Sequence, residues 1–275
     1  REPDGEFPTV RFPNPEEGAA LKLAIELGER ESADIVMGTD PDADRLGIAV
    51  PGADGFTLIT GNQLGALLVD YIFSARAAAG SLPEKPVFVK TVVTTELQRR
   101  IAEHYGATVY DTLTGFKHIA TVMRRLEEDG EIERFILGDE ESYGYLIGTE
   151  VRDKDAITAA VLTTEMCISH VAAGKSVLRR LEELYEQFGY FEERTISRYF
   201  KGAGGKEIMT GVMAQLRSSP PDRIGEEAVV TMKDYLSGET IDQTSGSRRN
   251  DIDLPSSNVL QFIFADGSLL SARPS

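Results

Sequence analysis

Three aspartates at alternating positions, Asp40, Asp42 and Asp44, lie between two apolar stretches in residues 35–50. Carboxylates that close repel one another unless a positive group sits among them. A hard divalent cation suits that role, and oxygen-only donors favour magnesium or calcium over zinc. Alternation puts all three on the same side of an extended segment. Pro41 stiffens the backbone, and Arg45 is the only cationic side chain of the loop. Its guanidinium can fork onto a phosphate or steady a carboxylate.

The plain alternative is a solvated acidic turn between strands. A helix-loop-helix calcium site asks for glycine at its sixth position and glutamate at its twelfth. Those positions are Arg45 and Pro51. A phosphohydrolase using Asp40 as nucleophile would also follow a strand with D-x-D. It usually carries a small hydroxyl residue or valine where this chain has Asp44.

Further chemistry is grouped in three places. Residues 138–145 read G-D-E-E-S-Y-G-Y, a glycine-bounded turn. A carboxylate there can accept two hydroxyl hydrogens at once, which suits a sugar diol; the alternative is a surface turn. Residues 112–117, T-L-T-G-F-K, place hydroxyls, a glycine and Lys117 at a helix start, where an anion can be cradled or a plain cap can sit. Lys154 lies among acids in R-D-K-D, either as a surface ion pair or as part of the neighbouring loop. His104, His118 and His170 share no ligand spacing, and Cys167 reads as a core residue.

Elements must position these groups. Helical spacing runs over residues 16–31, and the acidic loop is expected between a strand and a return strand at 46–50, with a short strand at 56–59. An apolar helix follows from 61. The β-branched run 87–93 reads as a buried strand, followed by a helix capped by Thr94 or Thr95. Strands at 107–110 and 135–137 alternate with helices at 119–128 and 155–173, and 176–188 is one more helix. That alternation predicts an α/β fold with mixed or parallel sheets and helices on both faces. Ligands then sit at loops beyond the carboxyl ends of strands. Gly189-Tyr190-Phe191 reads as a hinge. Beyond it a strand at 192–199, a helix at 206–216 and strands at 259–264 and 269–272 predict a partial α+β domain.

Composition bounds the class. The chain has 275 residues, 41% hydrophobic and 27% charged, an ordinary globular balance. A formal net charge of −16 argues against nucleic acid and anionic membranes as partners, though not against a phosphorylated substrate at a locally basic site. No apolar run approaches a membrane span. One cysteine excludes an internal disulfide framework and suits a reducing, cytoplasmic setting.

Together the motifs resemble the α-D-phosphohexomutases, the phosphoglucomutase/phosphomannomutase superfamily. The resemblance rests on D-P-D-A-D-R at 40–45, T-G-F-K at 114–117, E-E-S-Y-G at 140–144, K-D at 154–155 and R-P-S at 273–275, in that order. It implies a four-domain enzyme around a cleft, interconverting hexose 1-phosphate and hexose 6-phosphate. A phosphoserine would give its phosphate to substrate, and the hexose 1,6-bisphosphate would turn over in the cleft. By the same resemblance Asp40, Asp42 and Asp44 would hold Mg2+, and Arg45 would contact phosphate. Thr114, Gly115 and Lys117 would meet substrate, Glu140 and Ser142 would hold sugar hydroxyls, and Arg273 and Ser275 would begin a phosphate clamp. Lys117 and Lys154 would assist proton transfer. The Glu-Glu-Ser-Tyr form favours glucose; mannose and pentose phosphates stay open, as does monomer or dimer.

One departure is plain: a T-A-S-H-N-P serine motif is nowhere in these residues. The expected division is therefore 1–60 as the remainder of a metal-bearing domain 2, 61–188 as domain 3 and 189–275 as part of domain 4. The serine-bearing N-terminal domain would be the missing partner, and the fragment alone is expected to be inactive. A rival from another class is a non-catalytic magnesium and sugar-phosphate binding fragment.

Overall fold

The computed structural model describes residues 4–200 and 202–274. The chain divides into two compact units, Arg1–Glu193 and Arg194–Ser275.

In the first unit α1 (Gly18–Glu31) precedes β1 (Val36–Thr39), β2 (Leu46–Gly52) and β3 (Gly55–Ile59), an antiparallel sheet in that order. Thr60 and Gln63 form a reciprocal cap that starts α2 (Gly61–Ala78). Then come β4 (Val87–Thr91), α3 (Glu96–His104), β5 (Thr108–Thr112), α4 (Phe116–Glu128), β6 (Phe135–Glu140) and β7 (Gly144–Ile147). Helices α5 (Ala156–Ala172) and α6 (Val177–Phe188) complete the unit. The second sheet runs β5-β4-β6-β7, with β5, β4 and β6 parallel and β7 antiparallel.

Side-chain alternation explains the layers. Along the buried β4, Phe88 packs on one face with Leu67, Phe73 and Ile101, while Val87 and Val89 pack on the other with Phe116, Ile119 and Met123. Helices thus cover both faces, as a parallel sheet requires. Helix α2 is apolar nearly all round because it lies inside the unit. Leu46, Ile48, Val50 and Ile59 of the first sheet share one core cluster with α2 and Phe88. A bidentate pair joins α6 to α2: Arg180 Nε donates to Asp70 Oδ2 at 2.8 Å and Nη2 to Oδ1 at 2.7 Å. Among the described residues no single helix is long and apolar enough to cross a membrane.

The second unit holds α7 (Ala203–Ser218), β8 (Arg223–Ile224), β9 (Glu227–Asp234), β10 (Glu239–Asp242), β11 (Arg248–Arg249), β12 (Leu260–Phe264) and β13 (Leu269–Ala272). Its sheet runs β11-β10-β9-β12-β13, all antiparallel, with β8 paired to β9. Met213 of α7 packs on Met232 and Phe262 of the sheet.

Two expectations need correction. Residues 192–199 form no strand; the segment is exposed and irregular, because no neighbouring strand offers it a ladder. The acidic loop is not extended either, as the site shows. Strands β7 to β11 are additional to those expected. The alternation in 227–234 and the Ser-Gly-Glu turn after it carried that signal.

Candidate metal and sugar-phosphate site

The three aspartates sit on a turn, not along a strand. Ala43 takes a left-handed φ of 56°. Asp40 Oδ1 accepts from the backbone N–H groups of Asp44 and Arg45, each at 3.0 Å, and its carbonyl accepts from Ala43 N–H at 3.1 Å. An aspartate that caps its own loop overrides the alternation expected of an extended chain. The carboxylates converge all the same: one oxygen from each lies within 4.8 Å of the others. Asp44 Oδ1 is buried and makes no hydrogen bond. An all-carboxylate set with an unsatisfied buried oxygen fits a hard divalent ion, Mg2+ or Ca2+.

The charges around the turn push against one another. Burial raises the Asp40 carboxyl, and its neighbour Asp44 raises it further, against backbone hydrogen bonds that lower it. Burial also works upward on Asp44, but the Lys154 ammonium, a hydrogen bond with Asp40 and Arg45 together outweigh it and hold Asp44 low. Lys154 is raised: burial opposes its charge, and Asp44 and Asp153 outweigh that. Arg45 Nη1 meets Glu16 Oε1 at 3.3 Å, while its Nε lies 3.6 Å from Asp40 and 3.8 Å from Asp44.

Backbone bonds bring the second loop to the first. Leu46 N–H donates to Tyr143 O at 3.0 Å, and Arg45 bridges Gly144 in antiparallel fashion. Ala156 N–H, at the start of α5, donates to Ala43 O at 3.1 Å. The E-E-S-Y-G residues form the turn between β6 and β7, with Tyr143 at a left-handed φ of 68°. Glu140 is buried, and its Oε1 accepts from Gly115 N–H at 2.5 Å. That bond ties the T-G-F-K turn to the E-E-S-Y-G turn. Gly115, at φ 109°, is the N-cap of α4, a conformation that favours glycine. Lys154 Nζ reaches Asp44 Oδ2 at 2.9 Å and lies 5.3 Å from the centre of the Phe116 ring.

The structure therefore gathers Asp40, Asp42, Asp44, Arg45, Gly115, Glu140 and Lys154 within the first unit. Thr114 and Ser142 are half-buried on the same loops, and Lys117 is exposed. His118 follows Lys117, and burial and that lysine lower its pKa. Arg273 belongs to the second unit, just after β13, and Ser275 lies outside the described residues.

Sequence reasoning passed over Glu16, Gly61 and Phe116. Gly61 opens α2 directly against the E-E-S-Y-G turn: an added Cβ would collide with Glu141 O and sit 2.9 Å from Tyr143 N. Backbone cannot yield as a flexible side chain does. Gly61→Ala is expected to cost about 1–3 kcal/mol in a urea melt, as overpacking does.

Asp139 carries a pH signature. It is fully buried on β6, with Gln98 as its polar neighbour and no well-formed hydrogen bond to either carboxyl oxygen. Burial raises its pKa well above the usual range; Glu141 and Glu140 add to this, and Gln98 and Lys90 oppose it. With the folded pKa raised, its contribution to stability is fully present below the unfolded aspartate pKa of about 4 and is lost as pH climbs toward the folded value. Asp139→Asn should therefore stabilise the protein, by more at pH 7 than at pH 4, as thermal melts at the two values would show.

Two family descriptions match the chain: phosphoglucomutase/phosphomannomutase alpha/beta/alpha domain II over residues 1–53 and domain III over residues 60–188. The phosphoglucomutase of Staphylococcus aureus strain MRSA252 is 36% identical over 274 residues, covering 99% of this chain and 48% of that protein. The phosphoglucomutase of Staphylococcus saprophyticus is 36% identical over 275 residues, covering 100% of this chain and 49% of that protein. The chain thus spans about half the length of these relatives. Among solved structures, the open form of parafusin, a phosphoglucomutase from Paramecium, aligns at TM-score 0.54 and 19% identity over 95% of this chain and 42% of its own. A phosphoglucomutase/phosphomannomutase family protein from Burkholderia thailandensis aligns at TM-score 0.51 and 19% identity over 82% and 43%. These two likenesses concern the fold alone. Family descriptions over two long segments, and relatives at this identity along the whole chain, carry the conclusion: the chain belongs to the phosphoglucomutase/phosphomannomutase superfamily, the α-D-phosphohexomutases.

Proposed function

We propose that the whole protein interconverts hexose 1-phosphate and hexose 6-phosphate, glucose first, through a phosphoserine and a hexose 1,6-bisphosphate. In this reading the 275 residues supply the metal loop and the sugar loop, and an N-terminal domain of the same protein supplies the serine. The observation that carries it is the bonded junction of D-P-D-A-D-R, E-E-S-Y-G and Lys154 through Leu46–Tyr143 and Ala156–Ala43. That junction supports the reading of a cation site beside carboxylates that can accept hydroxyls and beside Lys154, whose ammonium meets Asp44 and Asp153. Asp40, Asp42 and Asp44 would hold Mg2+, which supplies charge neutralisation for phosphoryl transfer when bound. Ser142 and a Glu140 oxygen orient hydroxyls, Lys117 and Arg45 attract phosphate, and Lys154 passes or stabilises a proton. Arg273 and Ser275 open a second phosphate contact. A cytoplasmic setting accords with the single buried thiol, Cys167.

Two assays test this. The whole protein, given glucose 1-phosphate, Mg2+ and a trace of glucose 1,6-bisphosphate, should yield glucose 6-phosphate. Absence of product, with mannose 1-phosphate equally inert, would defeat the reading. The 275-residue chain alone should give no turnover yet bind the bisphosphate in calorimetry when Mg2+ is present. A silent calorimeter would count against the site itself.

A further inference from the structure

We propose that Lys154 and the divalent cation compete for Asp44, so that loading the metal frees Lys154 for the substrate phosphate. The proposal rests on the reading that the aspartates hold such a cation. Lys154 Nζ lies 2.9 Å from Asp44 Oδ2 and 3.1 Å from Asp153 Oδ1. Asp44 is also one of the three carboxylates whose oxygens converge. One carboxylate thus faces two cations of different kinds, the ammonium on Oδ2 and the ion at the unpartnered Oδ1, and their positive charges repel across it.

The lysine is built to let go. Its root is fixed by the two residues that follow it: Asp155 N–H donates to Tyr145 O at 2.9 Å and Ala156 N–H to Ala43 O at 3.1 Å. Its stem crosses the face of Gly144, where any Cβ would collide with Cδ and stand 2.9 Å from Cγ. Beyond that slot the ammonium is held by Asp44 and Asp153. When a divalent ion takes Asp44, the ammonium is repelled from the loop. It has two places to go: Asp153, 70% exposed, or an anion on the neighbouring sugar loop. A phosphate dianion holds it far better than one exposed carboxylate does. Arg45 does not act this way. Its Nε stays at 3.6 and 3.8 Å from Asp40 and Asp44, and its Nη1 is engaged by Glu16. The ordering that follows is metal first, sugar phosphate second.

Mn2+ titration of the 275-residue chain, read by electron paramagnetic resonance and calorimetry, tests the competition. Lys154→Met should bind Mn2+ about tenfold tighter than wild type, because a neighbouring positive charge has gone. Lys154→Arg should stay close to wild type. A second readout needs no variant: reductive methylation of Lys154, followed by mass spectrometry, should speed up severalfold when Mg2+ saturates the site. Lys154→Met binding equally or more weakly would overturn the proposal and make Lys154 a mere brace for Asp44. A methylation rate blind to Mg2+ would overturn it too. Failure of both wild type and Lys154→Met to bind Mn2+ would instead remove the metal reading on which it stands.

Discussion

Asp42→Asn and Asp44→Asn together will weaken Mn2+ or Mg2+ binding by at least about a hundredfold while leaving the fold intact. Changes in the outer shell of a metal site already cost roughly ten- to a hundredfold, and in the proposed site these two side chains would be direct donors. Asparagine keeps the volume of aspartate and one acceptor oxygen, so the loss isolates charge, which a hard cation requires. The choice of residues matters. Asp40 is spared because its Oδ1 holds the turn through Asp44 N–H and Arg45 N–H. Asp42 is exposed, and the Asp44 carboxylate closes no backbone bond of the turn. The lost Lys154–Asp44 ion pair is partly offset by relief of repulsion among the aspartates, so the stability from a urea melt should fall by no more than about 1 kcal/mol. Undiminished Mn2+ affinity in the double variant would place the ion elsewhere.

Arg180→Met should destabilise the first unit by about 3–5 kcal/mol, the usual cost of leaving a buried charge without its partner. The Asp70 side chain is 4% exposed, and both of its oxygens are taken by the one guanidinium. Once alone, the carboxylate must stay desolvated or pull in water between α2 and α6. A double variant, Asp70→Leu with Arg180→Met, should recover most of the loss, because well-packed apolar side chains replace such pairs at little cost. Denaturant midpoints of the three proteins check this. A mild single variant would mean that water already reaches Asp70.

The legible parts of the fold were those with strong local periodicity. Residues 87–93, flanked by a proline and two capping hydroxyls, announced β4 and α3, and Thr95 caps α3 with a hydrogen bond to Leu97 N–H. The composition of the metal loop was legible and its conformation was not. Alternating aspartates look like a strand, yet a side chain folding back onto two N–H groups decided the backbone. Strand β7 was missed because its three side chains, Tyr145 to Ile147, make too short a run to stand without β6 as partner. Gly61 was missed for a different reason. Its sequence neighbours say only that a helix begins, and its contact with Glu141 and Tyr143 spans some eighty residues that no local window contains. Glu140 was anticipated as a hydroxyl acceptor; that it also buttresses Gly115 depends on the adjacency of two loops.

The shared packing of β2, β3, α2 and β4 bears on how this stretch of gene can be cut. The family descriptions leave a border between residues 53 and 60, where a cloning boundary would naturally be drawn. Leu46, Ile48 and Val50 would then leave on one piece, and the α2 and β4 side chains they cover, such as Leu67 and Phe88, on the other. Each half would carry a raw oily face into solution and aggregate. A piece ending at Glu193 keeps that interior whole. For expression, labelling or recombination between relatives, the seam to respect is the one after Glu193.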